Sequence, residues 1–182
     1  FSIPEDIKEQ VSGSMLKNEI YSFQLAGLGY DEEEQRLGLR MEVESELKPY
    51  INVYQVGYVP SLLSMIDIGA DDDYITKVPG LFPDPLHKVR DGHIELSNRQ
   101  ARAFWITVEP DGEKVGTYPI VFRFYDKDDK LQSEATFTLE IIDAELPEAS
   151  LRNTAWFHGD CIAKLHDVEI LSEEYYAIVE KY

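Results

Sequence analysis

RLGLRMEVE, residues Arg36 to Glu44, sets Leu37, Leu39, Met41 and Val43 on one side of an extended chain. Arg36, Gly38, Arg40, Glu42 and Glu44 fall on the other. A strict period of two is the signature of a strand with one buried face. Immediately before it, Glu19 to Leu25 repeats the pattern with Tyr21, Phe23 and Leu25 alternating with Ile20, Ser22 and Gln24. Gly27 and Gly29 are expected to end that strand, and Asp31 to Glu34 to form an acidic loop tip, so the two strands are predicted to pair antiparallel. Phe1 to Lys17, with Pro4 and Gly13, is expected to be an irregular lead-in or edge segment.

Downstream the same signal recurs. Tyr50 to Tyr58 is rich in Tyr, Val and Ile, which predicts a strand covered on both faces. Ile94 to Leu96 is a short candidate, and Ala103 to Glu109 (AFWITVE) a strong one. Ile120, Phe122 and Phe124 then alternate with Val121, Arg123 and Tyr125, and Phe137, Leu139 and Ile141 with Thr136, Thr138 and Glu140. DKDDK, Asp126 to Lys130, joins these last two as a tight polar turn. Six or seven short strands with turn signals between them predict an immunoglobulin-like antiparallel β-sandwich over residues 1–146, ending at Leu146-Pro147.

Two stretches depart from that series. Between Asp67 and Asp91 no periodicity is legible, yet Tyr74, Leu81 and Phe82 lie among Pro79, Pro83 and Pro85, with Asp84 between the last two. A long apolar connection of this kind predicts an ordered flap, packed on its own sheet or on another domain. After Pro147 the chain changes character: Ala155, Trp156 and Phe157 read as a buried strand delivering His158, Asp160 and Cys161 to its end. A helix follows, with Ser172 as N-cap, Glu173 and Glu174 at the positive end of its dipole, and Tyr175, Ile178, Val179 and Tyr182 as one apolar stripe. Strand, turn and helix make the opening of a βαβ unit, so residues 147–182 are expected to be the truncated start of a larger (β/α) barrel.

Composition narrows the functional classes. Of 182 residues 43% are hydrophobic, enough for a real core. Seventeen basic against 35 acidic residues give a net charge of -18, which repels phosphate backbones and anionic lipid. Neither nucleic acid nor membrane is therefore expected as a partner. Cys161 is the one cysteine, so no internal disulfide or cysteine-based zinc site can form. A reducing, cytoplasmic setting is the expectation, with an extracellular one open because the chain starts at Phe1. The aspartate clusters 71–73 and 126–129 lack the spacing of a calcium loop and are read as solvated turns. His87 and His93 have no matching partner nearby, and no phosphate loop, nucleophile elbow or HExxH helix is present. No metal and no cofactor is expected. His158 and Asp160 remain as candidate pocket-lining residues, because the carboxyl end of a barrel strand lies at the face where barrel active sites are built.

LRNTAWFHGDCIAKLHDVEILSEEYY (Leu151 to Tyr176) resembles the strand and loop that open the catalytic barrel of bacterial proteins similar to glycoside hydrolase family 123. VGYVPS (Val56 to Ser61), DDDYITKVPGLFPDPL (Asp71 to Leu86), RAFWITVEP (Arg102 to Pro110) and GTYPI (Gly116 to Ile120) resemble that family's N-terminal domain in the same order. The resemblance implies an accessory β-sandwich attached to a barrel that hydrolyses glycosides of β-linked N-acetylgalactosamine, with the sugar's own acetamido group assisting. It implies that the family's adjacent Asp-Glu pair lies beyond Tyr182, so no catalytic residue is carried over. The expected partner is the chain's own C-terminal barrel. Carbohydrate is the alternative, held by exposed rings drawn from Tyr50, Tyr54, Tyr58 or Trp105.

Overall fold

A computed structural model describes residues 10–61, 78–147 and 159–181. The chain divides into two compact units, Phe1–Leu146 and Pro147–Tyr182. Among its described residues the first is all β apart from one 3-10 turn (Lys48–Tyr50). Its strands are β1 (Gln10–Leu16), β2 (Tyr21–Leu28), β3 (Arg36–Glu44), β4 (Ile51–Ser61), β5 (Gly80–Lys88), β6 (His93–Ser97), β7 (Ala101–Val108), β8 (Gly116–Tyr125) and β9 (Leu131–Ile142). They form two sheets, a five-stranded one in the order β1-β9-β8-β3-β6 and a four-stranded one in the order β2-β7-β4-β5.

Alternation decides which side chains are inside. On β8 Ile120, Phe122 and Phe124 are buried, and on β9 Phe137, Leu139 and Ile141, as their spacing predicts. From the other sheet β7 contributes Phe104, Ile106 and Val108, and β2 contributes the half-buried Tyr21, Phe23 and Leu25. The sheets meet ring on ring: Phe23 stacks on Phe137 at 3.9 Å and stands edge-on to Phe122 at 6.1 Å. Offset and edge contacts of this kind add about 0.5–1.5 kcal/mol each to the area they bury. No polar or charged residue is buried among the described residues.

Strand pairing differs from the sequence expectation at one important point. β2 and β3 do not pair; β2 lies beside β7, and β3 lies between β6 and β8. Each has one apolar face, and such strands satisfy it equally well across the core as side by side. Residues 29 to 35 are long enough to cross the ~10 Å between packed sheets. The strand count also rises, to nine among the described residues. Residues 10–16 are an edge strand that runs parallel to β9, and the connection that looked aperiodic contains β5, paired antiparallel with β4. Pro83 and Pro85 obscure β5 in the sequence, but an edge strand tolerates prolines because one row of its N–H groups has no ladder partner. The β2 strand runs on through Gly27 to Leu28.

One glycine fixes the approach to β6. Gly92, at φ +72°, accepts a bond from the Met41 N–H at 2.8 Å, and any Cβ placed on it would collide with the Met41 carbonyl oxygen. The DKDDK turn is held by Asp126, whose carboxylate accepts the N–H groups of Asp128 and Lys130 at 2.9 and 3.0 Å and the Gln132 amide at 2.6 Å. The end of the unit is tied to its beginning. Asn18 exchanges two hydrogen bonds with the Leu146 backbone, and Lys17 bridges Asp143 and Glu145.

The second unit has α1 (Gly159–His166) and α2 (Glu173–Val179). α1 was not expected. Asp160 and Cys161 sit on its exposed first turn rather than on a loop, while Ala155 to His158 fall outside the described residues. The helix ends where Asp167 takes φ +54° and the Val168 N–H reaches the Ala163 carbonyl at 3.0 Å, a 6→1 closure. α2 begins as its sequence predicts, with the Ser172 hydroxyl accepting from the Tyr175 N–H at 3.1 Å. Tyr175 is buried, Ile178 and Val179 are half-buried, and Tyr182 lies outside the described residues.

Two outcomes are expected. Phe122→Ala costs about 3–5 kcal/mol in chemical denaturation, whereas Leu131→Ala, on the exposed start of β9, changes stability by less than about 1 kcal/mol. The bonds to Asp126, led by that from Lys130, hold its carboxyl below the ordinary value of 3.8. Its contribution is thus full above that value and is lost as pH falls through the depressed one. Asp126→Asn has no charge to lose there and is expected to show a shallower acid-induced loss of stability than the parent chain.

Candidate functional site

The outer faces of the two sheets are chemically unlike. Residues directly paired across an antiparallel ladder share a face, so the register gives each face row by row. On the five-stranded sheet Glu42, Arg123 and Glu134 form one row, and Arg40 sits opposite Tyr125. Arg123 is clamped between Glu44 and Glu134, and Arg40 between Glu42 and Asp129, with its guanidinium 4.8 Å from the centre of the Tyr125 ring. Exposed pairs of this sort contribute little to stability. Their presence marks a face built for water.

The four-stranded sheet presents Gln24, Trp105, Tyr54 and Lys88 in one row, and Ser22, Thr107 and Asn52 in the next. Ala26 faces Ala103, and Val56 faces Leu86. Lys88 is the one charge in these rows, and it donates to the Asn52 side chain at 2.9 Å. In a chain of net charge -18 a sheet face so poor in charge stands out. Trp105 and Tyr54 are half-buried, cross-strand neighbours at its middle. Two other tyrosines considered as ligand platforms are engaged elsewhere. The Tyr50 hydroxyl donates to the Asp111 carboxylate, which holds the phenol above its ordinary range. Tyr58 donates to the Ala101 carbonyl at 3.4 Å and lies under the Arg102 guanidinium at 4.6 Å.

Of the predicted flap residues, Leu81, Phe82 and Asp84 lie on β5, and Tyr74 falls outside the described residues. The β4–β5 ladder continues through Val59↔Phe82 to Ser61↔Gly80, whereas β7 leaves β4 at Gln55↔Phe104. The far end is therefore a two-stranded ribbon with Val59 and Leu81 exposed on it. A register shift at Gly57 starts the ribbon, and His87 and Pro85 pack over that glycine so closely that a Cβ there would sit 2.6 Å from the His87 Nε2. His87 thus has a packing role. Of the candidate pocket residues, Asp160 is exposed on α1 and His158 lies outside the described residues. Asp160 belongs to the second unit, and Leu81, Phe82 and Asp84 to the first. Among the described residues no group of three or more His, Cys, Asp or Glu side chains could hold a metal, and no helix is long and apolar enough to cross a membrane.

The pairing of Trp105 with Tyr54 was not legible in advance. Both rings were candidates by type, but their adjacency depends on β4 and β7 being neighbours, which periodicity does not encode.

No protein-family profile matches the chain, and no curated protein matches it by sequence. Among solved structures, a family 123 glycoside hydrolase from Clostridium perfringens, studied for glycolipid glycan hydrolysis, is similar with a TM-score of 0.68 at 13% identity. The match covers 92% of this chain and 30% of that one. The N-terminal domain of PorA aligns over 72% of this chain and 86% of its own, with a TM-score of 0.35 at 7% identity. WR4, a C. elegans MSP family member, aligns over 73% and 92%, with 0.37 at 9%. The last two scores are too low to bear on this chain. The first shows a shared fold, and this chain spans 30% of the length of that enzyme.

Proposed function

We propose that residues 1–146 are a non-catalytic accessory domain of a glycoside hydrolase-like protein, an immunoglobulin-like sandwich whose task is to pack against a catalytic (β/α) barrel. In this reading residues 147–182 begin that barrel, and the longer protein acts on N-acetylhexosamine glycosides. The observation that carries it is the contrast between the two outer faces. A sheet face with one lysine and a central Trp105–Tyr54 pair is costly to leave in water and suited to burial against another domain. The ion-laced face opposite is not. The likeness of fold to the clostridial enzyme, which acts on glycolipid glycans, supports the same assignment. The apolar ribbon bearing Leu81, Phe82 and Asp84 would extend the packed surface, and His158 and Asp160 would stand near the barrel's pocket.

A second reading is favoured by one feature, the placement of Trp105 beside Tyr54. Two neighbouring rings on a flat sheet can stack on the apolar faces of sugar rings, which would make the sandwich a carbohydrate-binding or adhesion module.

Two measurements separate these readings. The purified chain is expected to release no chromophore from a 4-nitrophenyl β-N-acetylgalactosaminide, and release above the buffer background would overturn the accessory assignment. Calorimetric titration with N-acetylgalactosamine oligosaccharides is expected to give no saturable heat. A saturable signal lost in both Tyr54→Ala and Trp105→Ala would instead establish the second reading.

A further inference from the structure

Two Asp-Gly steps occur in the chain, Asp91-Gly92 and Asp111-Gly112. A glycine after an aspartate leaves its backbone nitrogen unshielded by any side chain, so that nitrogen can attack the aspartyl carboxyl. The fold treats the two steps differently. Asp91 and Gly92 are the middle residues of the turn between β5 and β6. Both have positive φ, +53° and +72°, and the His93 N–H donates to the Arg90 carbonyl at 3.1 Å. Together these features make a type I′ turn. A type II′ turn differs from it by a flip of the central peptide, which takes ψ of the first middle residue from about +30° to about -120°. The flip leaves the closing bond and both Cα atoms where they are, and Gly92 accepts the compensating negative φ without steric cost. At that ψ, rotation of the Asp91 side chain brings its Cγ within bonding reach of the Gly92 nitrogen. Asp91 is exposed, and neither its carboxylate nor the Gly92 N–H has a hydrogen-bond partner among the described residues.

Asp111 is held instead. Its carboxylate accepts from the Tyr50 hydroxyl and, at 3.3 Å, from the Glu113 N–H. Those bonds must be given up before the carboxyl can turn towards Gly112. Led by the Tyr50 bond, they also keep the carboxyl below its ordinary range and so ionised. An ionised carboxylate is a poor electrophile, because the oxygen that must leave carries no proton. Asp111 also lacks the positive φ of a II′ corner.

We propose that Asp91 is a site of spontaneous backbone modification, converting to isoaspartate through a succinimide formed with Gly92, while Asp111 is spared. The Gly92 nitrogen bonds to the Asp91 Cγ and gives up its proton, and a carboxyl oxygen departs as water. Water then adds to one of the two ring carbonyls. Opening at Cγ restores aspartate. Opening at the main-chain carbonyl leaves isoaspartate, unchanged in composition but with the Asp91 Cβ now part of the backbone. The extra atom enters the turn whose Gly92 carbonyl holds the Met41 N–H, and there is no slack there, since a Cβ on Gly92 would lie 2.3 Å from the Met41 carbonyl oxygen. The isoaspartyl form therefore loses the Met41–Gly92 bond that ties this turn to β3. The inference is independent of any glycosidase assignment, since it uses only the two turns.

The test is to age the full chain at neutral pH and physiological temperature, natively and in urea, and to digest it with a protease that cleaves after lysine. Both Asp-Gly steps then lie in one peptide, residues 89–114, and electron-transfer fragmentation measures isoaspartate at each. In the native chain isoaspartate is expected to accumulate severalfold faster at Asp91 than at Asp111, and in urea at comparable rates. The isoaspartyl form, separated by ion exchange, is expected to show faster hydrogen exchange at the Met41 amide than the parent chain, read by backbone NMR. Four outcomes would overturn the proposal: no isoaspartate at Asp91, accumulation at Asp111 as fast or faster in the native chain, a difference that persists in urea, or unchanged exchange at Met41.

Discussion

Everything in the sandwich depends on closing two sheets over one interior with no buried polar side chain among the described residues. The contact that does this is aromatic: Phe23 from the four-stranded sheet lies flat on Phe137 from the five-stranded one, with Phe122 edge-on to it. Because the inward positions that make up the core are apolar, each strand is pinned in register. A slip of one residue would turn Arg123 or Glu134 inward and Phe122 or Phe137 out. The chain must also change sheets repeatedly, passing from β1 to β2, β2 to β3, β3 to β4, β5 to β6, β6 to β7 and β7 to β8. Among the described strands, β4–β5 and β8–β9 are the consecutive pairs that lie side by side in one sheet. Crossings rather than turns thus set the geometry, and Gly92 shows how little room one of them leaves.

Much of this was legible because burial on one face writes itself into the sequence. Arg36 to Glu44 is a strand over the residues its alternation marks, and the inward sets on β8 and β9 are those the spacing predicts. Pairing was not legible. Alternation says which side of β2 and β3 is apolar but not whether the two lie side by side or face to face. Composition misled at β5, where Pro83 and Pro85 argue against a strand unless the strand is known to be an edge. Helix α1 was hidden by a different cause. Trp156 and Phe157 form an apolar run that reads as a strand, while the helix is marked only by Asp160 in its first turn and Lys164 in its last. Ser172 was readable because a cap is a local device, satisfied within three residues.

Function was less legible than fold for the same reason. Trp105 and Tyr54 become a pair only once β7 and β4 are adjacent, and the charge-poor face exists only once the strands are ordered. Several polar residues that stand out in the sequence have structural roles in the fold. Asp126 closes a hairpin, Tyr50 and Asp111 fasten a turn to the start of β4, and His87 covers Gly57.

The acidity of the chain follows the same division. Along the outer face of the five-stranded sheet carboxylates are interleaved with arginines, so that Glu42, Glu44 and Glu134 each meet a guanidinium. On the outer face of the four-stranded sheet the rows that register defines carry no acid at all. Generic solubility would spread charge over both faces, since water rewards it equally on either. Such segregation is what results when one face is kept free for a neutral, apolar neighbour while the other carries the burden of hydration. Solubility alone therefore accounts for the total charge but not for where it sits. The distribution is what favours the proposal that the Trp105–Tyr54 face packs against another domain.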